Sequence, residues 1–235
     1  MTVIVGGLLS LTSQVLGPAQ KKSIELDTKS QILSAVMKIE KGQDILAIYD
    51  QRIKSLVVDV NGDEIATNAK GGKMLAEEVN ILKNFKKPAN EREYPVFMFM
   101  NEENPSKVDA YILPLYGNGL WDKIWGFAAM DSRGEKIVGI SFDHKAETPG
   151  LGARIRDKEV QDRYKGKSIY NQNGELVSVS MIKGEKGDPL DDNHVDGMSG
   201  ATLTGKGVNE MLKSYLISYK AYFEKVNSGT AQASL

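Results

Sequence analysis

Near the end of the chain, Ser199 to Gly207 read SGATLTGKG. Three hydroxyls, one ammonium and three glycines in nine residues are the side-chain types that hold, or are esterified by, a phosphate. The Gly200-x-x-x-x-Gly205-Lys206 spacing matches the glycine loop of nucleotide hydrolases. Such a site needs a buried apolar strand feeding the loop and a Ser or Thr directly after the lysine to hold magnesium. Here GDPLDDNHVDGM precedes Ser199 and Gly207 follows Lys206, so both requirements fail. What survives is the start of a helix, whose free N–H groups and positive dipole end accept a phosphate without a metal. The plain alternative is an ordinary helix N-cap by Thr204 or Ser199 behind an Asx-type turn.

Composition narrows the chemistry further. The 235 residues hold 30 Lys and Arg against 31 Asp and Glu, scattered along the chain, so there is no basic field to recruit nucleic acid. With no cysteine, disulfides, thiolate nucleophiles and iron–sulfur ligation by this chain are excluded. Two histidines, His144 and His194, make a zinc site improbable; they read as surface or loop residues, and no metal is expected.

The elements that must position the nine residues follow from periodicity. Residues 2–18 carry no charge, and the segment 1–19 is expected to be a membrane anchor shortened at its N-terminus, since a full crossing needs about 20 apolar residues. Ile32, Leu33, Val36 and Met37 predict a short amphipathic helix capped by Asp27 or Thr28. From Asp44 onward ILAIYD and SLVVDVNGDEI read as strands, with Asn61-Gly62 as a turn. KMLAEEVNILKNF is loosely helical. PVFMFMN, KVDAYILPLYG, IWGFAAMD, KIVGISF, SIYNQ and LVSVSMI read as short strands, and GARIRDKEVQDRY as one exposed helix. Val208, Met211, Leu212, Tyr215, Leu216, Tyr219, Phe223 and Val226 recur at three and four residues, predicting a packed helix from about Gly207 to Val226. The expected fold is therefore α+β: one domain over 20–228 with a largely antiparallel sheet and packed helices, then a flexible tail over 229–235.

The residues upstream of the loop carry a resemblance. Asp196-Gly197-Met198-Ser199-Gly200-Ala201-Thr202 matches D-x-x-(S/T)-G-A-T in full, the acceptor pattern of the FMN-binding domain family. The match extends over LDTKSQIL, LPLYGNGLWDKIWGFAAMD, HKAETPGLGARI, MIKGE and VDGMSGATLTGKGV. Within the family the chain resembles the C subunits of the sodium-translocating NADH:quinone oxidoreductases, with the G subunits of the Rnf complexes as the alternative. The resemblance implies that the Thr202 hydroxyl is joined to the phosphate of FMN as a phosphoester, with Asp196, Ser199, Gly200, Ala201, Leu203 and Thr204 around it. Gly200 and Ala201 are small enough to let an enzyme approach that hydroxyl, and Ser199 either bonds the phosphate or caps locally.

It further implies that Gly119, Leu120 and Trp121 border the flavin. Glu147, Thr148, Leu151 and Gly152 would line its ring edge, and Lys183 would stand near the flavin or its phosphate. Each has a plain reading as well: a turn at YGNGLW with Trp121 in the core, a rigid loop at ETPGLG, a solvated lysine at 183. The implied function is a covalent-FMN electron relay, with no catalytic acid–base residue, in a membrane complex that oxidises NADH, reduces quinone and exports Na+. Its implied partners are the other membrane subunits and a flavin transferase. Its implied location is the inner membrane, single-pass, with the domain on the periplasmic side. A membrane-tethered scaffold without flavin is the non-enzymatic alternative.

Overall fold

The computed structural model describes residues 2–184, 187 and 190–230. Five antiparallel strands form one sheet in the order β1 (Ile53–Val58), β2 (Tyr94–Met100), β3 (Val108–Asn118), β4 (Lys123–Asp131) and β5 (Ile137–His144). Consecutive strands are neighbours throughout, as a meander requires. β3 and β4 stay in register from Ala110 opposite Asp131 down to Asn118 opposite Lys123, so the turn Gly119–Asp122 emerges at a fixed corner. A second, parallel pair joins β6 (Ser180–Met181) to β7 (His194–Val195).

Both faces of the sheet are covered. Leu56, Val96, Met98, Leu113, Leu115, Ala128 and Ile140 face α5 (Thr202–Asn227). Alternate positions, Ile53, Val57, Phe97, Ile112, Phe127 and Ala129, face the end of α1 (Thr2–Ser34) through Ile32 and Leu33. Two covered faces explain why YPVFMFM is apolar at nearly every position instead of alternating. Ile32 and Leu33 are 1% and 0% exposed, and each contributes roughly 1.5–3 kcal/mol to holding α1 on the sheet.

Several elements differ from the expectations. The uncharged segment and the amphipathic segment are one 33-residue helix with Pro18 inside it. Neither proposed cap starts a helix: the Thr28 hydroxyl donates back to the Ile24 carbonyl, and Asp27 accepts from the Gln31 amide. Among the described residues, no helix is long and apolar enough to cross a membrane. ILAIYD belongs to α2 (Ile45–Arg52), because the Asp44 carboxylate accepts from Leu46 and Ala47 N–H and closes a helix start. KMLAEEVNILKNF holds one 3₁₀ turn and α3 (Ile81–Phe85).

GARIRDKEVQDRY is a 3₁₀ turn (Gly152–Arg156) followed by α4 (Lys158–Asp162), and it is not exposed throughout, because Ile155, Val160 and Tyr164 are buried. SIYNQ contributes only single bridges, and LVSVSMI only a bridge at Leu176 and the two residues of β6. The Asn61-Gly62 turn is present, organised by Asp59, whose carboxylate accepts from Asn61 and Asp63 N–H. Of the expected tail, residues 231–235 lie outside the described residues.

Candidate functional site

Thr202 is the first residue of α5, five positions before the start that apolar periodicity predicts. Gly200 makes the entry possible: its φ is +76°, where a side chain is strained, and an added Cβ would meet Leu151 Cδ2 at 2.8 Å. Ala201 occupies the N-cap position and offers no side-chain hydrogen bond. The first intrahelical bond runs from Gly205 N–H to the Ala201 carbonyl. The N–H groups of Thr202, Leu203 and Thr204 therefore point out of the helix end with no backbone acceptor among the described residues. Neither plain capping reading holds, since Ser199 is exposed and uninvolved and the Thr204 hydroxyl is turned inward.

That inward turn is where the remote segments meet. Glu147 is buried, 4% exposed. Its Oε2 accepts from Thr204 Oγ1 at 2.5 Å and its Oε1 from Trp121 N–H at 3.0 Å. Its own N–H donates to His144 Nδ1 at 3.2 Å. One carboxylate thus ties the β3–β4 turn, the loop after β5 and the first turn of α5 together. Gly152 has to be glycine for this, because an added Cβ would run into Thr204 Oγ1 and Glu147 Oε2. Gly119 is equally confined, against Glu147 Oε1 and Ile124. Trp121 Nε1 donates to Thr148 Oγ1 at 3.1 Å, which fixes the indole over the loop. At the same corner Lys145 Nζ lies 3.0 Å from Asp122 Oδ2 and holds that carboxyl below the usual carboxylate range.

Large apolar side chains on the same segments are left exposed. Leu120, Trp121, Leu151 and Leu203 are 45%, 66%, 41% and 54% exposed. On the opposite flank of the helix start, a cavity of about 200 Å³ is lined by Thr202, Lys206, Asn209, Lys183, Met181 and Met198, among others. Lys183 is exposed at that cavity. Of the residues implied by the resemblance, Gly119, Trp121, Glu147, Thr148, Gly152 and Thr204 are brought together around the Glu147 carboxylate, Gly200 approaches Leu151, and Ala201, Thr202 and Lys183 line the cavity. Asp196 is placed behind them, its Oδ2 accepting from Gly187 N–H at 3.0 Å.

Two residues that sequence reading passes over support the loop. Arg163 Nη1 donates to the carbonyls of Asp196 and Gly197 at 3.2 and 2.6 Å, tying α4 to the approach of Thr202. Asn209 exchanges both its amide bonds with the Met181 backbone, N–H to Oδ1 at 2.7 Å and Nδ2 to O at 3.0 Å, so β6 is clamped to α5. Asn209 stands seven positions after Thr202 on the same helix face, a spacing that sequence reading could have used; Arg163 carries no such signal. Among the described residues, no cluster of three or more acidic or histidine side chains could hold a metal.

The FMN fits these residues. Three outward N–H groups and a half-buried threonine meet the needs of a phosphate, and the exposed Leu120, Trp121, Leu151 and Leu203 offer apolar surface of the kind an isoalloxazine ring needs.

Comparison with known proteins agrees. Residues 119–217 match the FMN-binding domain family, a span that includes every candidate site residue. The chain is 33% identical over 231 residues to the C subunit of the Na(+)-translocating NADH-quinone reductase of Neisseria meningitidis serogroup B, covering 92% of this chain and 87% of that one. It is 27% identical to the protein of the same name in Vibrio vulnificus, over 97% of this chain and 92% of that one. The crystal structure of the corresponding C subunit from Parabacteroides distasonis superposes with a TM-score of 0.74 at 33% identity, covering 88% of this chain and 96% of that one. Shewanella oneidensis NqrC, at 23% identity and a TM-score of 0.71, shares the fold. With an FMN-binding domain carrying its candidate site and a relative one-third identical over nine-tenths of its length, this chain belongs to the family of the C subunits of the Na(+)-translocating NADH-quinone reductases.

Proposed function

We propose that this chain is the covalent-FMN electron-transfer subunit of a Na+-translocating NADH:quinone reductase, with the flavin phosphate esterified to Thr202. The observation that carries the reading is the combination at the start of α5. Thr202 opens a helix with no side-chain cap: Ser199 is exposed and makes no bond to it, and the Thr204 hydroxyl is committed to the buried Glu147. The helix end is left available to an anion attached at Thr202.

When bound, FMN supplies the redox chemistry, accepting and passing on electrons one at a time. This chain's residues position it. Leu203 and Leu151 offer an apolar face, Trp121 is held upright by Thr148, and Glu147 keeps the three contributing segments at fixed separation. Covalent attachment prevents loss of the cofactor in a compartment with no flavin pool. NADH binds another subunit in this reading, consistent with a chain that offers a glycine pair at 117 and 119 but no dinucleotide fold. We place the domain at the periplasmic side of the inner membrane, with the uncharged first half of α1 against the other membrane subunits.

The test is co-expression of the full chain with a flavin transferase, followed by intact mass under denaturing conditions. An FMN-sized increment is expected in the wild type and absent from Thr202→Ala. An increment on Thr202→Ala would move the attachment elsewhere, and a colourless, unmodified wild type would leave a scaffold role in its place.

A further inference from the structure

Charge at the Thr202 cavity is unexplained by packing. Thr202 and Lys206 are four residues apart on α5 and so share a face, and Lys183 lines the cavity from beside β6. Lys206 sits near the positive end of a helix whose first turn contains no acidic residue, an unfavourable place for a cation. Among the described residues, no acidic side chain lines the cavity, and neither ammonium has a hydrogen-bond or ion-pair partner. Two lysines and Thr202 therefore line a space of about 200 Å³ with no described group of opposite sign in its lining.

We propose that Lys206 is a phosphate-binding residue that promotes attachment of FMN to Thr202 and then neutralises the resulting ester. The inference rests on the covalent-flavin reading. The step balances with a flavin donor whose phosphate is activated as a pyrophosphate. The Thr202 Oγ–P bond forms, the P–O bond of the anhydride breaks, a nucleoside monophosphate leaves, and the hydroxyl proton goes to solvent. The phosphodiester left on Thr202 keeps one negative charge, in the cavity where the Lys206 and Lys183 ammonium groups stand. Asn209, on the same helix face, is already engaged by the Met181 backbone and leaves the phosphate to the lysines.

The experiment follows flavinylation of the full chain over time, with the transferase limiting, by intact mass. Lys206→Gln is expected to slow appearance of the FMN increment about 5- to 10-fold, with Lys206→Arg close to wild type, because a charge-assisted contact to phosphate is lost in one and kept in the other. The thermal midpoint of the unmodified protein should not change, since Lys206 is exposed. In the loaded proteins the ³¹P resonance should shift in Lys206→Gln and return in Lys206→Arg. If Lys206→Gln is modified at the wild-type rate with an unshifted resonance, the role of Lys206 is overturned while the attachment at Thr202 stands. If the wild type itself acquires no increment, both fall together.

Discussion

The two halves of α5 are built to opposite specifications. The C-terminal half is fastened along its buried stripe by aromatic contacts: Tyr94 and Tyr219 meet edge-on with ring centroids 5.4 Å apart, and Tyr111 packs against Tyr222 and Phe223 at 5.9 and 5.4 Å. The buried Tyr219 hydroxyl donates to the Pro95 carbonyl at 2.7 Å. The N-terminal half has glycines at 205 and 207, no cap, and exposed Leu203 and Lys206. The aromatic packing is concentrated at one end, while the first turn at the other presents unpaired N–H groups and is held by the aliphatic Val208, Met211 and Leu212 behind it. Stability and binding are thus separated along one element, by about 1.5 Å per residue of helix.

The separation can be broken from the stable end first. Tyr219→Ala removes a fully buried ring and its hydrogen bond and is expected to cost about 4 kcal/mol in urea unfolding, lowering the midpoint of the whole domain. Should it instead leave the midpoint unchanged, the C-terminal half is not the anchor. Glu147→Ala tests the other end. Trp121 N–H and the Thr204 hydroxyl lose their acceptor, for about 2 kcal/mol. Hydrogen exchange should rise at 119–121 and 205–207, where the first intrahelical bonds form, and stay low at 215–223; a uniform rise would mean that the two halves are one cooperative unit.

Alkaline pH gives the smallest of the three effects. Burial raises the Tyr215 phenol to about 12, and raises those of Tyr219 and Tyr222 as well. A phenol whose pKa is higher folded than unfolded stabilises fully below about 10, and that stability is lost as pH rises toward 12. The urea midpoint should therefore fall as pH rises from about 9 to about 11, and Tyr215→Phe should flatten the profile. An unchanged slope in that variant would remove Tyr215 from the account.

The same division explains what can be read from the sequence alone. The C-terminal half of α5 is legible because its apolar residues repeat every three and four positions, whereas Thr202–Lys206 reads as loop because glycines and threonines carry no such period. Strands β2 to β5 are legible as apolar runs between turns. ILAIYD is not, since a short apolar run is compatible with helix or strand, and Asp44 is the deciding signal. At the site, the motif ending in Thr202 coincides with the start of α5, and Leu120, Trp121, Leu151 and Leu203 are all exposed. The bracing role of Glu147 is hidden, because its partner Thr204 is 57 residues away and only the folded sheet brings them together.

One further consequence belongs to α1. Its 33 residues run without interruption from the uncharged segment into the core, where Ile32 and Leu33 are sealed and the Ser141 hydroxyl reaches the Gln31 carbonyl at 3.4 Å. At about 1.5 Å per residue this is a strut of about 50 Å, with Pro18 as its weakest joint. A strut transmits orientation, where a flexible linker transmits only proximity. Whatever grips its first half therefore sets the angle and the height at which the sheet and the start of α5 are held.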